Sequence, residues 1–173
     1  GMDSAGGGWP SLIDCSIVDN HAEFIGGGLS LRDLLADVRD CDIGANVAPY
    51  GGGMWCEGYP LIQDCIIREN VGTARGGGCL ASGGGPTFIG VTFRDNDGTE
   101  RGGGLYAFTS DVEINACTFD SNVADSGGGL FAVTNSSPNA HVASTFVGNV
   151  ATLGGGAYVE GSHWFDRCVF DAN

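Results

Sequence analysis

Runs of three glycines punctuate this 173-residue chain, and those starting at Gly6, Gly26, Gly51, Gly76, Gly102, Gly127 and Gly154 are spaced 20, 25, 25, 26, 25 and 27 residues apart. Asparagine keeps step with them. Asn20, Asn46, Asn70, Asn96, Asn122 and Asn149 each stand four or five residues ahead of a glycine run, and Asn173 closes the series. Self-similarity at a period of about 20 to 50 residues predicts a solenoid, in which each repeat buries its apolar face only against its neighbours.

Aligned on the asparagines, the repeat reads Cys-x-(Ile/Phe)-x-x-Asn, a short spacer, three glycines, an apolar stretch, a variable loop and a second apolar stretch. One column holds Cys15, Cys41, Cys65, Val91, Cys117, Ser144 and Cys168, and two residues on stand Ile17, Ile43, Ile67, Phe93, Phe119, Phe146 and Phe170. Three residues before the cysteine come Leu12, Val38, Ile62, Phe88, Ile114, His141 and Phe165; directly after the glycines come Trp9, Leu29, Met54, Cys79, Leu105, Leu130 and Ala157. Apolar alternation in short segments rich in β-branched and aromatic residues predicts strands. The parity slips by one just before the cysteine, at Asp14, Asp40, Asp64 and Gly90, residue types that tolerate a left-handed bend.

Three short strands and three corners in about 25 residues make one coil of a parallel β-helix, so seven coils at the strand spacing give a rod roughly 30 Å long. Helical repeats conflict with 32 glycines. Collagen fails for want of glycine at every third residue, and a leucine-rich repeat for want of its leucine core. A glycine triplet at one corner suggests a backbone path that a Cβ would obstruct. A phosphate loop would occur once and open a helix. The asparagines are read as a stacked amide ladder.

Twenty-one acidic residues face seven arginines and no lysine, for a formal charge of −14. Nucleic acid and anionic membrane surfaces are therefore poor partners. No apolar run is long enough to span a membrane and no signal peptide opens the chain, which reads as a mature or excised segment. Five cysteines (Cys15, Cys41, Cys65, Cys117, Cys168) share one column, where side chains about 4.8 Å apart lie beyond disulfide reach, so they read as buried thiols. No Cys-x-x-Cys spacing points to a metal, and no cofactor is expected.

The units CSIVDNHAEFIGGGL, CIIRENVGTARGGGC and CTFDSNVADSGGGL resemble the repeats of polymorphic outer-membrane proteins, within the broad pectin-lyase-like class of right-handed parallel β-helices. The resemblance covers essentially the whole chain and implies an exported protein. It leaves function open, because the fold hosts adhesins, surface proteins and polysaccharide-degrading enzymes. The membrane barrel, signal sequence and capping region of that family are not found. Read as a circle, CVFDAN followed by GMDSAGGGW puts five residues between Asn173 and the Gly6 run, as in CIIRENVGTARGGGC. That spacing predicts a single domain, residues 1–173, uncapped at both ends. It would continue coil on coil in a longer chain or in a head-to-tail homopolymer.

Chemistry could sit on one face of such a helix. Glu69 and Asp95 share a column beside Arg68 and Arg94, a carboxylate pair of the kind glycoside hydrolysis needs, although surface ion pairing accounts for them equally. A lyase would have only Arg68, Arg75, Arg94 or Arg101 as a base, and His21, His141 and His163 share no column. Trp55, Tyr106, Phe131 and Tyr158 follow the inward post-glycine residue and by alternation point outward, an aromatic ladder able to stack on sugar rings or on a neighbouring filament. Asn135-Ser136-Ser137 matches a glycosylation acceptor. The expectation is an extracellular or cell-surface structural module, with a glycan-binding adhesin or a polysaccharide lyase or hydrolase as alternatives.

Overall fold

The structure, a computed structural model, describes residues 2–5, 10–134 and 139–173, with the side chains of 2–5, 33 and 34 left aside. The chain winds through seven coils. The first carries β1 (Met2–Ala5), β2 (Ser11–Ile13) and β3 (Ser16–Val18). The second carries β4 (Leu29–Leu34), β5 (Asp37–Arg39), β6 (Asp42–Gly44) and a short β7 (Val47–Tyr50). Then come β8 (Met54–Gly58), β9 (Leu61–Gln63), β10 (Ile66–Arg68) and β11 (Val71–Arg75), followed by β12 (Cys79–Gly84), β13 (Thr87–Ile89) and β14 (Thr92–Arg94). The remaining coils hold β15 (Leu105–Phe108), β16 (Glu113–Asn115) and β17 (Thr118–Asp120); β18 (Leu130–Val133), β19 (Asn139–Val142) and β20 (Thr145–Val147); and β21 (Ala157–Glu160), β22 (His163–Asp166) and β23 (Val169–Asp171).

Each strand pairs in parallel with its counterpart one coil away. This makes three seven-stranded sheets: the first through β1, β4, β8, β12, β15, β18 and β21, the second from β2 to β22, the third from β3 to β23. β7 and β11 add a two-stranded patch. The all-β parallel solenoid expected from the repeat is thus the fold. The unequal repeat lengths are absorbed at corners, where the register shifts by one residue, as between Ala81 and Gly84 against Cys56 and Gly58.

Three left-handed stations per coil turn the corners. The bend before the cysteine column falls at Asp14, Asp40, Asp64 and Gly90, with φ 52–63°, and continues at Ala116, Ala143 and Arg167. A second station, not foreseen, lies just before each asparagine and includes Asp19, Glu69 and Asp95. Such residues hold the conformation because their amides continue the ladder, as Asp64 N–H does to Ile89 O at 2.9 Å. The third is the first glycine of the runs at Gly26, Gly51, Gly76, Gly102, Gly127 and Gly154. Gly76 has φ 66°, and a Cβ on Gly78 would lie 2.5 Å from the Gly104 carbonyl oxygen and 3.1 Å from Asn96 Nδ2, so successive glycine corners stack backbone on backbone.

The first glycine run breaks this pattern. Met2, not Trp9, pairs with Leu29, so the Gly6 run follows β1 where the others precede their strand. Its 20-residue spacing was the sign of the difference. Gly6 to Trp9 themselves lie outside the described residues, as does Asn135-Ser136-Ser137. The circular register put Trp9 level with Leu29, where the structure places Met2.

The core is a column structure. Phe93, Phe119, Phe146 and Phe170 stack face to face with centroids 4.7, 4.7 and 4.5 Å apart, the strand spacing itself. Burying each of the first three contributes about 1.5–3 kcal/mol. The cysteine column holds free thiols throughout. Burial pushes Cys65 up to about 12 and Cys117 to about 11, so both stay protonated. Cys41 N–H donates to Cys65 Sγ at 3.5 Å, and Cys117 N–H to Ser144 Oγ at 3.1 Å, which is why serine fits this column.

Candidate binding face

The asparagine column is a closed hydrogen-bond ladder. Asn96 Oδ1 accepts from both the amide N–H and Nδ2 of Asn70, at 3.1 and 3.0 Å. Asn96 Nδ2 donates in turn to Asn122 Oδ1 at 2.9 Å and to Ile67 O at 2.9 Å. The same pattern links Asn20, Asn46, Asn70, Asn96, Asn122, Asn149 and Asn173. The five middle members are fully buried. Both amide hydrogens and the oxygen are used, so the column serves the fold and leaves nothing for a ligand.

The aromatic row lies on the outer side of the first sheet, as alternation requires. Trp55, Leu80, Tyr106, Phe131 and Tyr158 follow one another in register. It is not an exposed ladder, however. Trp55 is 9 %, Tyr106 3 % and Phe131 4 % exposed, and only Tyr158 is half-buried. The cause is the left-handed glycine corner, which folds the residue before each run back over the row. A Cβ on Gly76 would sit 3.0 Å from Leu80 Cβ, and the pre-glycine residues Ile25, Tyr50, Arg75, Arg101, Ser126 and Leu153 form a stack of their own. Arginines complete the cover: Arg32 lies over Trp55 at 5.4 Å, Arg75 over Tyr106 at 5.9 Å and Arg101 over Phe131 at 5.2 Å.

What this face offers to solvent is a groove of about 320 Å³ bounded by Arg101, Phe108, Leu153, Tyr158 and Glu160. Phe131 and Tyr158 stack at 4.9 Å beneath it, and Phe108 and Leu153 are exposed. Tyr158 donates its hydroxyl proton to Glu160 Oε1 at 2.8 Å, and the carboxylate raises the phenol's pKa. Among the described residues Arg101 forms no ion pair, whereas Arg75 is held by Glu100 at 3.1 Å. A free guanidinium beside an aromatic edge and a phenol–carboxylate pair can bind a polar ring or a carboxylate.

The carboxylates and arginines singled out as a candidate catalytic pair are engaged with each other on the surface. Glu69 and Asp95 occupy left-handed corners; Glu69 pairs with Arg68 at 3.2 Å and Asp95 with Arg94 at 3.3 Å, with half-exposed carboxylates. Arg68 also forks onto Asp42 of the preceding coil at 3.0 and 2.8 Å. Two meetings escaped the sequence reading. Cys56 and Cys79, outside the main cysteine column, bring their sulfurs to 3.8 Å in the core. His141 and His163, in different columns, meet at 3.1 Å because one side chain leans across the coil boundary. His21 stays exposed, in a bridge to Val47. Among the described residues no group of three or more His, Cys, Asp or Glu side chains is placed to hold a metal ion, and no helix is long and apolar enough to cross a membrane.

An all-parallel coil with stacked corners and an amide ladder defines a β-solenoid. The chain belongs to the right-handed β-helix family, whose model matches residues 3–170. No curated protein and no solved structure matches it.

Proposed function

We propose that the chain is a structural and adhesive module of an extracellular or cell-surface solenoid, a stiff rod that presents its side groove to a ligand. The observation that carries this reading is the unbroken asparagine ladder, which ties all seven coils into one body. The likeness to polymorphic outer-membrane repeats supports the surface setting. The stacking of like coils, each strand paired in parallel with its counterpart, is a geometry that a second copy can extend by strand addition. Electron microscopy of the chain at micromolar concentration tests self-assembly: rods many coils long support it, and single short particles at every concentration refute it.

The groove favours glycan retention as the adhesive activity. Phe108 and Tyr158 offer ring faces and edges, while Arg101 and Glu160 offer charge-assisted hydrogen bonds. On a glycan array, retention that Arg101→Ala and Tyr158→Ala both abolish, with the circular dichroism spectrum unchanged, supports this reading. Retention indifferent to both substitutions, or none at all, removes it.

A further inference from the structure

His141 stands in the inward column of the second sheet, where neighbouring coils place Ile62, Phe88, Ile114 and Phe165. It is fully buried. Its Nε2 lies 3.1 Å from Nδ1 of His163, on the adjoining strand β22, and His163 Nε2 lies 3.1 Å from the carbonyl oxygen of Glu160. These contacts determine the protons. A carbonyl only accepts, so His163 carries its hydrogen on Nε2, and in the neutral ring its Nδ1 is the bare acceptor. His141 then donates from Nε2, which leaves its own Nδ1 bare. That nitrogen is buried and meets no partner.

With both rings neutral, every N–H of the pair has an acceptor. One added proton destroys this on either ring. On His141 it creates a buried Nδ1–H with nothing to receive it. On His163 it turns Nδ1 into a donor, which requires a bare Nε2 on His141 and moves that ring's hydrogen to the same orphaned Nδ1. No anion compensates. The neighbours of His141 are Ile114 from β16, paired with it in register, and the Phe165 ring from β22, 4.6 Å away, which itself rests on Phe146 from β20; the Cys168 thiol donates to the His141 carbonyl. Glu113 lies on the outer face of β16 and Asp166 pairs with Arg167. Asp111 is engaged with Thr134 at a corner, and the Glu160 carboxylate is held by Tyr158.

We propose that the seam between β19 and β22 is an acid-operated latch, closed while the His141–His163 pair is neutral and opened when the pair takes up a proton. Opening would free the edge of the second sheet at β19 for another strand. Burial lowers His141 to about 3 and also lowers His163. For a histidine whose folded value is depressed, the unfolded ring binds the extra proton. The latch is therefore at full strength above the ordinary value of about 6.5, and weakens as pH falls from there towards the lowered value. His141 alone raises the opening constant by up to about tenfold per pH unit in that window, or about 50-fold between pH 6.5 and 4.5.

Amide hydrogen exchange on the whole chain reads this out directly. The seam is reported by Asn139 N–H, bonded to Ser162 O, and Ala143 N–H, bonded to Asp166 O; Asp64 N–H, bonded to Ile89 O, serves as reference. Protection at the seam should fall about 50-fold relative to the reference from pH 6.5 to 4.5. In His141→Ile, which matches Ile62 and Ile114 of the same column, the two sites should move together. A seam as acid-resistant as the reference, or an undiminished acid slope in His141→Ile, overturns the proposal. Should that variant fail to fold, imidazole nitrogen shifts of the unaltered chain decide. Two neutral rings at pH 5.5, with Nδ1 of His141 bare, support the latch, and a charged His141 in the closed seam overturns it.

Discussion

The asparagine column and the outer aromatic row pass through the same coils at the same spacing, yet they tolerate different things. In the column every coil has the same residue. Each Oδ1 takes two donors from the coil before, and each Nδ2 serves two acceptors, so a different side chain would leave both neighbours short. In the outer row the coils present Ser30, Trp55, Leu80, Tyr106, Phe131 and Tyr158 at equivalent positions. Apolar contact is non-directional, and arginine stems and rings of various sizes can share a cover. Directional bonding forces identity from coil to coil, whereas burial alone asks only for bulk.

The sharpest way to break that contrast is Asn96→Ala. It strands the amide N–H and one Nδ2 hydrogen of Asn70 and removes the side-chain donor from the Ile67 carbonyl and from Asn122 Oδ1, which keeps the residue-96 amide, all in the interior. Each unsatisfied group costs about 1–3 kcal/mol, so a loss of about 4 kcal/mol or more is expected in urea unfolding. Phe131→Ala in the outer row removes a larger volume but leaves only apolar neighbours and the Arg101 guanidinium. Because Arg101 and Leu153 can settle into the gap, about 2 kcal/mol is expected, below the usual cost of a core Phe→Ala change. Tyr106→Leu repeats what Leu80 already does one coil away, and should shift stability by less than about 1.5 kcal/mol. If Tyr106→Leu costs as much as Asn96→Ala, the outer row is as specific as the ladder and the contrast fails.

How far the fold was legible follows from the same distinction. Repeating glycine, asparagine and cysteine encode backbone approach, directional bonds and size limits. They sufficed for the coil, its period and the bend at Asp14, Asp40, Asp64 and Gly90. A glycine triplet has two uses here. At Gly76 it makes the corner before a strand, whereas Gly83 and Gly84 end one, β12, and the triplet alone does not distinguish them. The outer face was legible in parity and illegible in cover. Tyr106 faces outward, but what shields it is Arg75, 31 residues earlier on the preceding coil, beside a left-handed glycine that reads in sequence as a loop. The His141–His163 contact joins residues in different columns, and column-by-column comparison has no means of seeing a side chain that leans across one.

A third kind of column supplies the smallest effect. Arg68 spans two coils, forking onto Asp42 and touching Glu69, with its guanidinium carbon close over Gly44: a Cβ there would lie 3.1 Å away. The bonds are directional, as in the ladder, but water reaches them: the Arg68 and Asp42 side chains are 27 % and 37 % exposed. Exposed partners regain hydration when the bond is lost, so directionality brings little net energy at such a site. Arg68→Ala should therefore cost less than about 1 kcal/mol, part of it from packing over Gly44. An Arg68/Asp42 double-mutant cycle should give a coupling of about 0.2–1 kcal/mol that shrinks in 1 M salt. A coupling near the cost of Asn96→Ala would mean that direction alone, without exclusion of water, sets the strength of a column.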